Sequence, residues 1–334
     1  MNIKLHKESG ITLVELMIAM LLGILLTGGV IQTFSANKLT FNTIEGISRV
    51  QESARFTLDT LTREARMIGY MGCMSIDMPI HNTLYAAYQG EFDLSSGVTG
   101  YNGGASSWTP TLPTSLSGLS NSPSTGTDIL KIFGMSSSGE RLATSMPDSS
   151  AALKVVSPTS LATNDVVFLS DCEKGAIFQA TQVNTNSTSG VDNVVHNQGS
   201  GWNETKPLTT DGSSFGEDAT VYKLVTKYYY VAPGTGVNSQ GNAVQSLYVM
   251  ENGTVSELIE GVENLQILFG VDTPPADTLA NRYVTANNIS ANDEVVSIRL
   301  IITTNSINTA TAEGDGLLRR TFTQTVKIRN RGSL

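Results

Sequence analysis

The hydrophobic pattern of this chain divides it into a long helical part and a longer part made of short strands. Residues 11–31 are almost entirely apolar, and Glu15 is the one charged residue among them. The 21 residues of this run would span about 31 Å as a helix, enough to cross a bilayer core of about 30 Å. The pattern therefore predicts a membrane-spanning helix that carries a carboxylate, whose insertion costs about 2.5–3.5 kcal/mol and so indicates a functional role.

Beyond residue 31 the helical period continues, but the apolar residues keep to one side of the helix. Charged residues occupy the other side, and no proline occurs between residues 1 and 77. One helix from about residue 11 to residue 68 is predicted, and Gly69 is expected to end it. We expect its first half to lie in lipid and its second half to pack on a domain. The predicted apolar stripe consists of Phe34, Phe41, Ile44, Ile47, Val50, Ala54, Leu58, Leu61, Ala65 and Ile68.

The rest of the chain alternates loop-rich stretches with short β-rich segments. Residues 74–163 and 184–218 are rich in Ser, Thr, Gly and Asn, which predicts long surface loops around a few strands. Residues 220–231 form the longest β-rich segment, and Pro233-Gly234 is expected to end it. Asn252-Gly253 predicts a hairpin turn. Without a second long helix, the pattern predicts an α+β chain with antiparallel sheet. Other strands are expected at residues 128–133, 165–169, 176–181, 245–250, 255–259, 264–271, 295–302 and 321–329.

Composition and candidate chemistry argue against several classes of function. The 334 residues carry a net charge of −9, which disfavours nucleic acid as the main partner. Neither catalytic motifs nor spaced metal ligands occur in the sequence. His6 lies in the leader, and His81 and His196 are expected in exposed loops. The acidic groups at residues 292–294 and 313–315 favour turns over a calcium site. We therefore expect no enzyme activity, no cofactor and no metal.

The two cysteines, Cys73 and Cys172, both lie beyond the apolar run. Lys4 and Lys7 precede that run, which favours a cytoplasmic N-terminal end and an exported remainder. In an oxidising compartment the two cysteines predict one disulfide bond, which would close a loop of roughly 100 residues. The alternative is a pair of buried free thiols.

The start of the chain resembles the class III signal of type IV prepilins and type II secretion pseudopilins. Residues 10–16 read Gly-Ile-Thr-Leu-Val-Glu-Leu, with the glycine, the glutamate and the apolar run in register. Ile11 departs from the usual phenylalanine or methionine of the family. The resemblance implies that a prepilin peptidase cuts between Gly10 and Ile11 and that the new amine of Ile11 is methylated. It also implies that Glu15 pairs with the amine of a neighbouring subunit during assembly.

Later segments resemble PilW-type minor pilins. The resemblance implies a type IV pilin fold, in which a long helix packs on antiparallel sheet with long loop insertions, and it supports the pairing of Cys73 with Cys172. It implies a minor pilin that primes type IV pilus assembly, with other minor pilins, the major pilin and the inner-membrane assembly platform as partners. Its expected place is the inner membrane before assembly and the tip of the extracellular pilus afterwards. The segments are residues 55–73, 170–172, 258–271 and 325–331.

The resemblance also gives an expected division of the chain. The parts are a cleaved leader (1–10), a membrane and assembly half of the helix (11–32), an amphipathic half (33–70) and a periplasmic or extracellular β-rich domain (71–334), in which a subdomain break near residue 215 is considered. Two other functions stay open. One is a type II secretion pseudopilin at the pseudopilus tip, against which Glu15 counts because the large tip pseudopilin typically lacks that glutamate. The other is a membrane-anchored adhesin that uses the Ser/Thr-rich loops.

Overall fold

The longest element of the computed structural model is helix α1 (Leu13–Met67), a single continuous helix of 55 residues, close to the predicted bounds. It ends before Gly69, whose φ of 72° lies in the left-handed region that glycine adopts without strain. The structure describes residues 11–74, 78–89, 92, 94, 97–136, 138–186, 188–274, 278–311 and 314–329.

The remaining elements are mostly strands. In chain order they are β1 (Ile80–Asn82), α2 (Ala86–Gln89), β2 (Val98–Gly103), β3 (Trp108–Thr109), α3 (Thr114–Ser117), β4 (Ile129–Met135), β5 (Glu140–Arg141), β6 (Leu153–Val156), β7 (Val166–Ser170), β8 (Gly175–Gln179), β9 (Gln182–Asn184), β10 (Val191–Val195), β11 (Thr220–Val237), β12 (Ala243–Glu251), β13 (Thr254–Glu260), β14 (Val262–Asp272), β15 (Arg282–Val284), the 3₁₀ helix η1 (Ala286–Asn288), β16 (Glu294–Asn305) and β17 (Arg319–Lys327).

Strand β11 organises the larger of the sheets. It pairs with β5 and β7 near its start, with β4 in its middle and with β12 toward its end. The main path of this ten-stranded sheet is β1-β8-β7-β11-β4-β2-β3. A separate three-stranded sheet has the order β6-β10-β9.

The ten-stranded sheet is mixed, so the prediction of antiparallel sheet holds only in part. Strands β1 and β8 run parallel, with Ile80 opposite Gly175. The disulfide between Cys73 and Cys172 is compatible with this direction. Each cysteine lies a few residues before one of the two strands, so both strands run away from the same covalent link.

The third sheet has four antiparallel strands in the order β15-β14-β16-β17, and it packs on α1. Leu61 and Ala65 of the helix are fully buried in a core that also contains Ile267 and Ile302. Hydrogen bonds accompany this apolar contact. The Ser53 hydroxyl donates to the carbonyl of Glu260 at 2.9 Å, and the Thr304 hydroxyl donates to the carbonyl of Val50 at 3.1 Å. The second half of α1 is thus held by both packing and polar contacts.

Contact between α1 and the domain begins at about residue 43, later than the predicted amphipathic half. The Thr43 hydroxyl donates to the carbonyl of Ala310 at 2.5 Å. At Gly46 an added Cβ would lie 2.7 Å from the Ala310 Cβ, so this position needs glycine for its close approach. Before this point the helix extends past the domain, so the stripe residues Phe34 and Phe41 are exposed. Ile44, next to Thr43, is exposed as well.

Several predicted boundaries need correction. Strand β11 continues through Pro233 instead of ending there. Proline has no N–H to donate, and β11 tolerates it here for two reasons. The pairing of β11 with β12 is irregular between Pro233 and Val237, and on the other side β4 pairs with β11 only up to Tyr229. The stretches expected as loops also contain strands, including β2 and β10, whose Gly, Asn and Asp residues weaken a strand signal.

A buried carboxylate links the ten-stranded and four-stranded sheets. Asp128, just before β4, accepts hydrogen bonds from the N–H groups of Gly103 and Ile267, both at 2.8 Å. Its own N–H donates to the carbonyl of Leu265 at 2.8 Å. Burial raises the pKa of Asp128, while the two N–H donors oppose that rise.

Candidate functional site

The residues expected to act in assembly lie at the exposed start of α1. Thr12 precedes the helix with an extended backbone, and its hydroxyl accepts from the Glu15 N–H at 3.3 Å. Glu15 Oε2 accepts in return from the N–H and the hydroxyl of Thr12, both at 3.0 Å. This reciprocal arrangement is a capping box, which satisfies N–H groups that have no partner inside the helix. Its sequence signal, Thr followed three residues later by Glu, was missed in the predictions.

The capping box gives the Glu15 carboxylate a local partner at the start of an apolar segment. An unpaired charge in such a segment is costly, and hydrogen bonds to the charged group reduce that cost. The carboxylate therefore has a hydrogen-bonding role within the single chain.

The whole apolar run from residue 11 to residue 31 is exposed in the structure. The most apolar window of α1 has a mean hydropathy of 2.3 and none of it is buried. By length and composition α1 could cross a membrane, and within the described ranges it is the one helix of which this is true. The structure therefore agrees with an N-terminal membrane anchor attached to a β-rich domain.

The expected cleavage site is only partly within the described residues. Gly10 lies outside them, and Ile11 is 77% exposed next to the capping residue Thr12. Cleavage after Gly10 and methylation of Ile11 remain predictions.

Cys73 and Cys172 form a disulfide bond, which fits the predicted pairing. Their sulfur atoms are 1.99 Å apart and their Cα atoms 5.1 Å apart. The bond joins the segment after α1 to the turn between β7 and β8. The N–H of Cys172 donates to the Ser170 hydroxyl at 3.2 Å, which helps to hold this turn. The end of α1 is thereby fixed to the ten-stranded sheet as well as to the four-stranded one.

The other candidate residues have structural partners. His196 was expected to be exposed, but it is buried, with Nε2 2.8 Å from the Ala151 carbonyl oxygen. Burial lowers its pKa. In the acidic turns, Asp293 pairs with Arg282 at 2.7 Å and Asp315 pairs with Arg319 at 2.5 Å. Among the described residues no group of three or more His, Cys, Asp or Glu could hold a metal ion; Glu313 lies outside those residues.

The C-terminal part of the chain is similar to a family of pilus-assembly proteins. Residues 228–330 match PilW, Type IV Pilus-assembly protein W. The match confirms the PilW-type resemblance over about a third of the chain and connects the protein with type IV pilus assembly. It begins within β11 and includes β14, β16 and β17, so it contains the sheet on which α1 packs. No curated protein and no solved structure matches the chain.

Proposed function

We propose that this protein is a non-enzymatic minor pilin with a type IV pilin fold, which enters the type IV pilus at its tip and primes assembly. The observation that carries the proposal is the joining of a capped, exposed apolar helix to a sheet within the PilW match. Such a helix suits a segment that lies in the inner membrane before assembly and among other helices in the pilus afterwards.

In this proposal Glu15 changes partners during assembly. In the single chain its carboxylate caps α1 through Thr12. Once a prepilin peptidase has cut after Gly10 and the Ile11 amine has been methylated, the equivalent amine of a neighbouring subunit offers an opposite charge. Opposite charges attract far more strongly in lipid than in water. An intermolecular pair then replaces the capping contact and sets the register of the incoming subunit against other minor pilins or the major pilin.

Variants of Gly10 and Glu15 separate leader removal, helix capping and charge. Gly10→Val should keep the leader attached, because a branched side chain obstructs entry into a narrow protease site. Glu15→Gln keeps an oxygen able to accept from Thr12 but removes the charge, whereas Glu15→Ala removes both. We expect both Glu15 variants to be cleaved, as judged by mass spectrometry, and to be absent from purified pili. Normal incorporation of Glu15→Gln would contradict the proposed ion pair.

Deletion of the protein distinguishes the pilus from a secretion pseudopilus. We expect loss of surface pili and of twitching, with type II secretion unchanged. Normal piliation combined with lost secretion would assign the protein to the secretion system.

A further inference from the structure

A pocket of about 330 Å³ lies where β7 and the β12–β13 turn approach the middle of β11. The aromatic rings of Phe92 and Trp202 line it together with the polar side chains of Asn164, Thr226 and Asn252. Its volume is near the lower end for small-ligand pockets, which typically combine aromatic walls with a few placed polar groups. It lies in the β-rich domain, apart from the assembly residues at the start of α1.

Four polar groups around this pocket have no hydrogen-bond partner in the part of the chain that the structure describes. They are the side-chain amide of Asn164, the hydroxyl of Thr226, the side-chain NH₂ of Asn252 and the indole N–H of Trp202. All four are neutral, and the hydroxyl and the Asn164 amide can each both donate and accept. A ligand with several hydroxyl groups would complement this set.

A buried glutamine holds one wall of the pocket in place. The Gln179 side-chain oxygen accepts from the backbone N–H of Trp202 at 2.8 Å, and its Nε2 donates to the backbone carbonyl of Asn164 at 3.1 Å. Asn203 in turn bonds the N–H and the carbonyl of Gln179, both at 2.8 Å. The ring of Tyr88 stacks on Trp202 with centroids 4.7 Å apart. Because these contacts fix the wall in advance, binding would order few side chains and lose little entropy.

A second part of the lining is fixed by the hairpin turn. Asn252 has a φ of 46° and Gly253 a φ of 87°, as the Asn-Gly turn of the sequence predicted. The Asn252 side-chain oxygen accepts from the Thr226 N–H at 3.0 Å, and the Asn252 N–H donates to the Thr226 carbonyl at 3.1 Å. The oxygen of the Asn252 amide is therefore occupied, while its NH₂ remains available.

Charge at the pocket favours a neutral ligand. Among the described residues of its lining, Asp165 is the one that carries a charge, and its carboxylate is paired with the Lys223 ammonium at 2.8 Å. An anion would find no cation among these described lining residues, and a cation would have to compete with Lys223 for Asp165.

We propose that this pocket binds a neutral pyranose sugar unit of a glycan. Sugar hydroxyl groups donate and accept hydrogen bonds, which the four free polar groups require. The C–H groups of the ring can contact Phe92 and Trp202. All residues of the site belong to the β-rich domain, so the proposal does not depend on the role of the protein in pilus assembly.

The test uses the full chain in a zwitterionic detergent, because detergents with sugar headgroups would occupy the site. Ligand-observed NMR is recorded with methyl glucoside, methyl galactoside and N-acetylglucosamine, and with N-acetylneuraminic acid as the anionic comparison. We expect saturable binding of at least one neutral sugar, with a dissociation constant of about 1 mM. Absence of binding by all three neutral sugars, or tighter binding of the acidic sugar, would overturn the proposal.

Two variants test whether the binding occurs in this pocket. Thr226→Val removes a hydroxyl at nearly constant shape, and Asn252→Asp removes the NH₂ while it keeps the oxygen bonded to Thr226. Each should weaken binding about tenfold. Thr57→Val is the matched control, because Thr57 is also buried without a hydrogen-bond partner for its hydroxyl but lies on α1. Unchanged affinity in both pocket variants, with unfolding temperatures like those of the parent chain, would show that the sugar binds elsewhere and refute the assignment.

Discussion

Replacement of Asp128 by alanine should weaken the link between the two largest sheets. The side chain is 4% exposed and accepts two backbone N–H groups, those of Gly103 and Ile267, both at 2.8 Å. Asp128→Ala leaves both N–H groups buried without that partner. Each such group costs about 1–3 kcal/mol, so the expected loss is about 2–6 kcal/mol. This is a large fraction of the stability of an ordinary domain, about 5–15 kcal/mol.

The assay compares three variants by denaturant unfolding of the full chain in detergent, with fluorescence as the signal that monitors unfolding. Asp128→Asn keeps one accepting oxygen but turns an NH₂ toward the other N–H, so its stability should fall between those of the parent and Asp128→Ala. Asp211→Ala is the control, because Asp211 is exposed and accepts its hydrogen bonds from residues of its own turn, chiefly Ser213, and it should change stability by about 0.5 kcal/mol or less. If Asp128→Ala lowers the free energy of unfolding by no more than Asp211→Ala does, the reasoning is refuted.

Two further predictions concern acid sensitivity and helix attachment. Two backbone N–H groups, at 2.7 and 2.9 Å, lower the pKa of the buried Asp192. Its ionised form therefore stabilises the fold above the usual Asp pKa of about 3.9, and this stabilisation is lost as the pH falls. The difference in unfolding free energy between the parent and Asp192→Asn should narrow from about pH 6 to about pH 3, and a constant difference would contradict this. Gly46→Val should cost about 1–3 kcal/mol, since its Cβ would lie 2.7 Å from that of Ala310. Limited proteolysis should then cut the chain near Ala310 sooner, whereas Gly23→Val, whose Cβ meets nothing within 4 Å, should leave the rate unchanged.

The parts of the fold that the sequence predicts well are those with a local signal. Helix α1 has a long unbroken apolar period, and Gly69 ends it within one residue of the expected place. Strands β14 and β16 alternate over many residues and were predicted with only slightly shorter bounds. The hairpin at Asn252 needs a backbone that Asn and Gly adopt readily, so two residues suffice to predict it.

The parts that could not be predicted depend on contacts between distant residues. The parallel direction of β1 follows from its neighbour β8, which lies almost 100 residues later. The pocket brings together Asn164, Trp202 and Asn252, which come from separate loops and share no motif. The capping box at Thr12 is different, because its signal was local and was available from spacing alone.

The disulfide bond determines how far a pulling force can extend this protein. Cys73 and Cys172 are 99 positions apart, and a chain of that length would reach about 330–360 Å when extended. Tension applied along α1 passes from Cys73 directly to Cys172, so the residues between them carry no load while the bond is intact. Strands β2, β4 and β7 lie in that shielded segment. Under tension the oxidised chain can therefore lengthen only through its other residues, and much of the ten-stranded sheet is protected from being pulled out as extended chain.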